Sequence, residues 1–131
     1  MIIKLINLSM VRFICIGFIN TLVGLSVIYS LKYFLTLGDL IANFVGYGFG
    51  LLVSFALNSK WTFSYRGSQL SAIGRFLIAF CIAYLTNIFT VLLFIHWIGM
   101  NSYLANFVGL FPYTIIFYLI SRFFVFNPNI S

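Results

Sequence analysis

"LIANFVGYGFGLLVSFALNS", Leu40 to Ser59, is a run of 20 residues without a formal charge. At a rise of about 1.5 Å per residue, such a run coils into a helix about 30 Å long, the thickness of a bilayer's hydrocarbon core. Three other charge-free runs flank it: Phe13 to Leu31 (19 residues), Phe76 to Ile95 (20) and Trp97 to Ser121 (25). All four are apolar on nearly every face, so neither a soluble amphipathic helix nor the alternating strands of a membrane barrel accounts for them. The sequence therefore predicts an all-α integral membrane protein with four transmembrane helices. The first dozen residues are expected to form an interfacial lead-in to helix 1.

Composition agrees with this fold class. A chain of 131 residues that is 63% hydrophobic, 21% aromatic and 6% charged has too much apolar surface for the interior of a small globule. The two cysteines, Cys15 and Cys81, fall inside predicted spans and have no metal-ligand spacing. We expect them to be small buried hydrophobes.

The pentapeptide ANFVG of the opening run, Ala42 to Gly46, recurs at Ala105 to Gly109, 63 positions later. The same offset pairs Arg12-Phe13 with Arg75-Phe76 and Phe63 with Phe126. Because half of the ten identities over Arg12 to Phe63 are contiguous, chance is a poor explanation. The chain reads as one domain over residues 1–131, made of repeat 1 (about 12–64) and repeat 2 (about 75–127). Each repeat holds two spans and returns the chain to its starting side. The repeats are then parallel helical hairpins, related by a pseudo-two-fold axis along the membrane normal.

Basic residues set the orientation. Lys4 and Arg12 precede helix 1, Lys60, Arg66 and Arg75 lie between helices 2 and 3, and Arg122 closes helix 4. The opposite side has Lys32 near Asp39. By the positive-inside bias, both termini and the central loop are cytoplasmic. The net charge of +6 then reflects topology and attraction to anionic lipid, with no nucleic-acid partner expected.

Helix 2 carries the row Ala42, Gly46, Gly50, Ser54, Asn58 at four-residue spacing, a small-residue face on which another helix can approach closely. On helix 4 the matching row is Ala105, Gly109, Tyr113, Phe117, Ser121, small at first and then aromatic. Asn43 and Asn106 are expected to cap or bond near the outer helix starts. Asn20 and Asn87 lie about 12 and 18 Å past Arg12 and Arg75 along their helices, so each needs a partner at membrane depth. Lys60 and Arg122 close helices 2 and 4 from paired places in the repeat, with Asn58 one turn below Lys60. They suit either interfacial anchoring or a clamp on a lipid phosphate. No acid lies in a span, no nucleophile has a base beside it, and no His/Cys cluster has metal spacing. We expect no catalytic residues, metal or cofactor, and a protein that is not an enzyme.

"RFICIGFINTL" (Arg12 to Leu22), "NSKWTF" (Asn58 to Phe63), "RF" at Arg75 and "SRFFVF" (Ser121 to Phe126) resemble the signature segments of the GtrA family of small four-span bacterial membrane proteins. That resemblance implies movement of a polyprenyl-phosphate-linked sugar, typically undecaprenyl-phosphate glucose, across the bacterial cytoplasmic membrane for cell-surface polysaccharide modification. Membrane glycosyltransferases would make and use the lipid on either side. Its motif positions fall on Asn20, Asn58, Lys60 and Arg122. On this basis Lys60 and Arg122, with Arg75 or Arg12, are expected to hold the phosphate, and Asn20 and Asn58 to line a polar groove for the sugar. An adaptor that positions a glycosyltransferase without moving lipid fits the same features. A proton-coupled drug exporter does not, for want of a buried acid. Four short helices make a thin wall around a headgroup, so a homo-oligomer is expected.

Overall fold

The computed structural model describes residues 1–130, which form four long helices: α1 (Ile2–Phe34), α2 (Asp39–Leu57), α3 (Gln69–Trp97) and α4 (Ser102–Ile120). Five-residue π-helical turns extend α2 over Asn58–Thr62 and α4 over Ser121–Val125. The chain divides into two compact units, Met1–Ser64 and a second that begins at Tyr65. In the first, α1 packs along α2 and its π turn; in the second, α3 packs along α4 and its π turn. Each unit is a helical hairpin.

All four helices are long and apolar enough to cross a bilayer. Their outer surfaces carry large apolar side chains that water would not tolerate in such number. Leu40, Phe44 and Tyr103 are 85%, 80% and 91% exposed. Helix α1 runs unbroken from Ile2 for 33 residues, so the expected interfacial lead-in is part of the helix. Nothing between Ile2 and Arg12 is a Gly or Pro that would interrupt it. The 25-residue charge-free run from Trp97 is divided instead, because α3 extends to Trp97 and α4 begins only at Ser102.

The two connections at the hairpin tips close in the same way. Leu37 N–H donates to Leu31 O (3.4 Å) and Met100 N–H to Phe94 O (3.1 Å), each six positions back, so the chain folds over the carbonyls that the helix end leaves free. The residue before each donor takes the left-handed backbone common just past a helix end: Thr36 at φ +52° and Gly99 at φ +78°. Helix α4 then starts from Asn101, whose side chain accepts from Leu104 N–H at 2.8 Å, while α2 starts from Gly38 with no side-chain cap. Asn101 is thus the cap, and Asn106 bonds back to the Ser102 carbonyl (2.8 Å).

Inside each hairpin the small-residue row faces the partner helix. Ala42, Gly46, Gly50, Ser54 and Asn58 are all buried, as are Ala105, Gly109, Phe117 and Ser121. A Cβ on Gly46 would meet Ile28 and stand 2.9 Å from the Gly24 carbonyl oxygen; one on Gly109 would stand 2.9 Å from Val91 Cγ2 and 2.7 Å from Asn87 Nδ2. Gly24 and Ile28 precede Asn87 and Val91 by 63 residues. In lipid this close approach, with its dispersion and polar contacts, holds helices together, because apolar area gains little by leaving an apolar solvent. The cysteines fall off these faces. Cys15 and Cys81 are exposed, which corrects the expectation that they are buried.

Candidate functional site

Ser54, Asn58 and Thr62 in the first hairpin and Ser121 in the second place buried polar side chains toward the ends of α2 and α4, where the helices widen. Phe63 N–H donates to Asn58 O (3.0 Å) and Phe126 N–H to Ser121 O (2.8 Å), five residues back in each case. A helix end leaves its last carbonyls without intrahelical donors. An arginine from the other helix of the same hairpin supplies them. Arg12 Nη1 donates to Trp61 O at 3.1 Å, and Arg75 donates to Val125 O from Nη2 at 2.9 Å and Nε at 3.3 Å. A cation is favoured there by the helix dipole as well as by the bond.

The two arginines are held differently. Arg75 spends Nη2 also on the hydroxyl of buried Tyr65 (3.0 Å), whose ring meets Phe126 edge-on. Arg12 makes one bond to the main chain, in an exposed setting, and its guanidinium lies over the Trp61 ring, 5.4 Å from the centroid. Lys60 is exposed in the same π turn. The residues next along fix both ends: Phe13 meets Phe63 at 6.4 Å, and Phe76 meets Phe126 at 6.2 Å.

Asn58 forms the centre of a buried ladder. Its Nδ2 donates to Ser54 Oγ (3.2 Å) and its Oδ1 accepts from Thr62 Oγ1 (2.8 Å). Ser54, Asn58 and Thr62 stand four residues apart, on one face of the helix, and each satisfies the next. At an offset of 63 the second hairpin has Phe117, Ser121 and Val125. Ser121 Oγ is buried there with no hydrogen-bond partner among the described residues. Rings fill the space instead: Phe117 lies against Phe76 (5.1 Å), Phe80 (6.1 Å) and Tyr113 (5.7 Å).

Asn20 presses its carboxamide oxygen against Gly50, where any Cβ would overlap it. Asn87 approaches Gly109 in the second hairpin, from the place that Gly24 holds in the first. Both amides therefore face the partner helix of their own hairpin.

Of the predicted site residues, Arg12, Asn58 and Lys60 gather at one end of the first hairpin, with Asn20 farther along it. Arg75 and Arg122 gather at the end of the second. One expectation needs correcting. Lys60 and Arg122 are 62 residues apart, whereas the π turns that carry them are 63 apart. Lys60 is the third residue of its turn and Arg122 the second, so they leave the helix in different directions. The partner of Arg122 by position is Ser59, which is buried. Arg122 turns back to the hydroxyl of buried Tyr118 (3.2 Å) and lies 5.8 Å from the Phe123 ring. Trp61, Thr62, Tyr65 and Tyr118 belong to these arrangements and were not expected to act there, although Trp61 and Thr62 lie within the NSKWTF segment. The contact of Thr62 with Asn58 was also legible in its four-residue spacing. Among the described residues, no three His, Cys, Asp or Glu side chains gather to hold a metal.

The sequence profile of the GtrA/DPMS transmembrane domain matches residues 12–126, from the arginine that closes the first π turn to the phenylalanine that ends the second. The chain belongs to the GtrA/DPMS transmembrane-domain family. It is an integral membrane protein, and the GtrA/DPMS match covers the greater part of all four candidate spans. Comparison with curated proteins gave no significant match.

Proposed function

We propose that this protein moves a polyprenyl-phosphate-linked sugar, of the undecaprenyl-phosphate glucose kind, from the inner to the outer leaflet of a bacterial cytoplasmic membrane. Membership of the GtrA/DPMS family supports that substrate class. The observation that carries the reading is the polar end of the first hairpin, where Arg12 and Lys60 stand at the rim beside the Ser54–Asn58–Thr62 ladder. Asn20 lies about 12 Å deeper along α1. Phosphate would meet cations at the rim, sugar hydroxyls would meet amides within, and the polyprenyl tail would stay in lipid.

The hairpins act as two copies of one unit inserted the same way round. Support comes from the features that recur at an offset of 63: the π turns, the return bonds at the tips, the left-handed residues and the phenylalanine pairs. Parallel insertion puts Arg12, Lys60, Arg75 and Arg122 on the cytoplasmic side with both termini. The substrate carries one negative charge, so an inside-negative potential favours its outward movement and no proton partner is needed. No bond of the substrate is made or broken. Glycosyltransferases act before and after this step, and the working unit is a homo-oligomer that encloses the headgroup.

Reconstitution of the purified protein alone, in vesicles whose outer leaflet is probed with an impermeant sugar-oxidising reagent, tests the reading. Protein-dependent transfer of the sugar-lipid between leaflets is expected. Binding to a glycosyltransferase with no transfer would replace the carrier with an adaptor.

A further inference from the structure

The two hairpins share a backbone plan but differ in what their side chains leave available. In the second hairpin, Arg75 is committed through three hydrogen bonds to Val125 O and Tyr65 Oη, and Arg122 is drawn to Tyr118 Oη. The places of Ser54 and Thr62 are taken by Phe117 and Val125, and that of Asn20 by buried Ala83. In the first hairpin, Arg12 spends one Nη1 donor on Trp61 O, lies across the Trp61 ring, and is joined at the same turn by exposed Lys60. A guanidinium has five donors, so most of those of Arg12 stay available to a second acceptor.

We propose that the hairpins have divided the work: the first alone receives the phosphodiester headgroup, through Arg12 and Lys60, while the second is a closed counterpart whose cations hold its own helix ends. This rests on the lipid-linked sugar phosphate being the substrate. It adds that the chain holds one headgroup site and not two. Arg12 meets the phosphate with its outer edge and Lys60 meets it as a point charge. The Ser54–Asn58–Thr62 ladder acts as a positioning element, fixing the π turn from which Lys60 projects. The lone hydroxyl of Ser121 marks the same place in the other hairpin, with no ladder built around it.

The test is equilibrium binding of a short-chain polyprenyl-phosphate glucose to the purified full chain in detergent. The Trp97→Phe background leaves Trp61 as the single indole, so its emission reports where the lipid sits. Wild type should bind one lipid per chain and shift the Trp61 emission. K60Q, at an exposed residue, should weaken binding roughly tenfold, the loss expected for one charged contact. R12K, which keeps the charge but loses the fork, should weaken it less than R12Q. R75Q and R122Q should bind within about twofold of wild type once circular dichroism shows their helices intact. Two lipids per chain, K60Q with wild-type affinity, or R75Q or R122Q as weak as K60Q would each overturn the proposal. So would a wild-type protein that binds no lipid. Binding with this pattern but no leaflet transfer would remove the carrier reading and leave the single site standing.

Discussion

Arg75 donates to the carbonyl of Val125 through both Nη2 and Nε, and so ties the start of α3 to the end of α4 with one side chain. Arg12 reaches the end of α2 with a single bond to Trp61. Replacing Arg75 by Gln should therefore destabilise the protein by about 2–3 kcal/mol, and replacing Arg12 by about half as much. R75K should recover little, since an ammonium cannot supply the fork. Loss of helicity on titration with a denaturing detergent would rank the variants, and equal losses for R75Q and R12Q would contradict the difference in their bonding.

Glycine is needed for different reasons at two matching places. A Cβ on Gly46 would stand 2.9 Å from the main-chain oxygen of Gly24, which moves only if α1 and α2 separate. At Gly109 the nearest atoms belong to the side chains of Asn87 (2.7 Å) and Val91 (2.9 Å), which can turn aside. G46A should cost about 2–3 kcal/mol and G109A about 1 kcal/mol, within the range for overpacked contacts. Thermal denaturation in detergent checks the order, and a larger loss for G109A would reverse the interpretation.

The tips of the hairpins offer a reciprocal exchange. Thr36 holds a left-handed backbone at φ +52° that costs a branched residue about 1–2 kcal/mol, whereas Gly99 holds φ +78° at little cost. T36G should raise the melting temperature and G99T should lower it. Movement of both in the same direction would show that the left-handed residues do not govern the tips.

Ser121 buries a hydroxyl with no partner among the described residues, so S121A should stabilise the protein by about 1 kcal/mol. The opposite holds at the corresponding place in the first hairpin. Removing Asn58 leaves Ser54 and Thr62 each short of a bond, and N58A should cost about 2–3 kcal/mol. The same denaturation series measures both, and a loss of stability in S121A would point to a role for its hydroxyl.

The helical class and the number of spans were legible because uncharged runs of bilayer length have few other folds open to them. The repeated ANFVG also placed the closely packed faces correctly, since four-residue spacing on a helix puts Ala42, Gly46 and Gly50 in one row. Helix ends were harder. The charge-free run at Trp97 concealed a turn at Gly99, because charge marks the membrane boundary and backbone conformation marks the end of a helix. At the candidate site, the sequence showed which cations lie near the rim but not how they are spent. Lys60 and Arg122 do not correspond because they stand 62 residues apart in a 63-residue repeat, an offset that the sequence itself carries. The commitment of Arg75 to Val125 depends on a carbonyl, which has no signature in sequence.

Leaflet distribution of the sugar-lipid under an imposed potential tests the central claim most directly. Vesicles containing the purified protein should bring the lipid to equal amounts in the two leaflets at zero potential. At 100 mV, inside negative, a single charge crossing the field is worth about 2.3 kcal/mol, which favours the outer leaflet roughly fiftyfold. A carrier predicts both distributions, reached only when the protein is present. Sugar-lipid that stays in the leaflet where it was placed, at either potential, would contradict it.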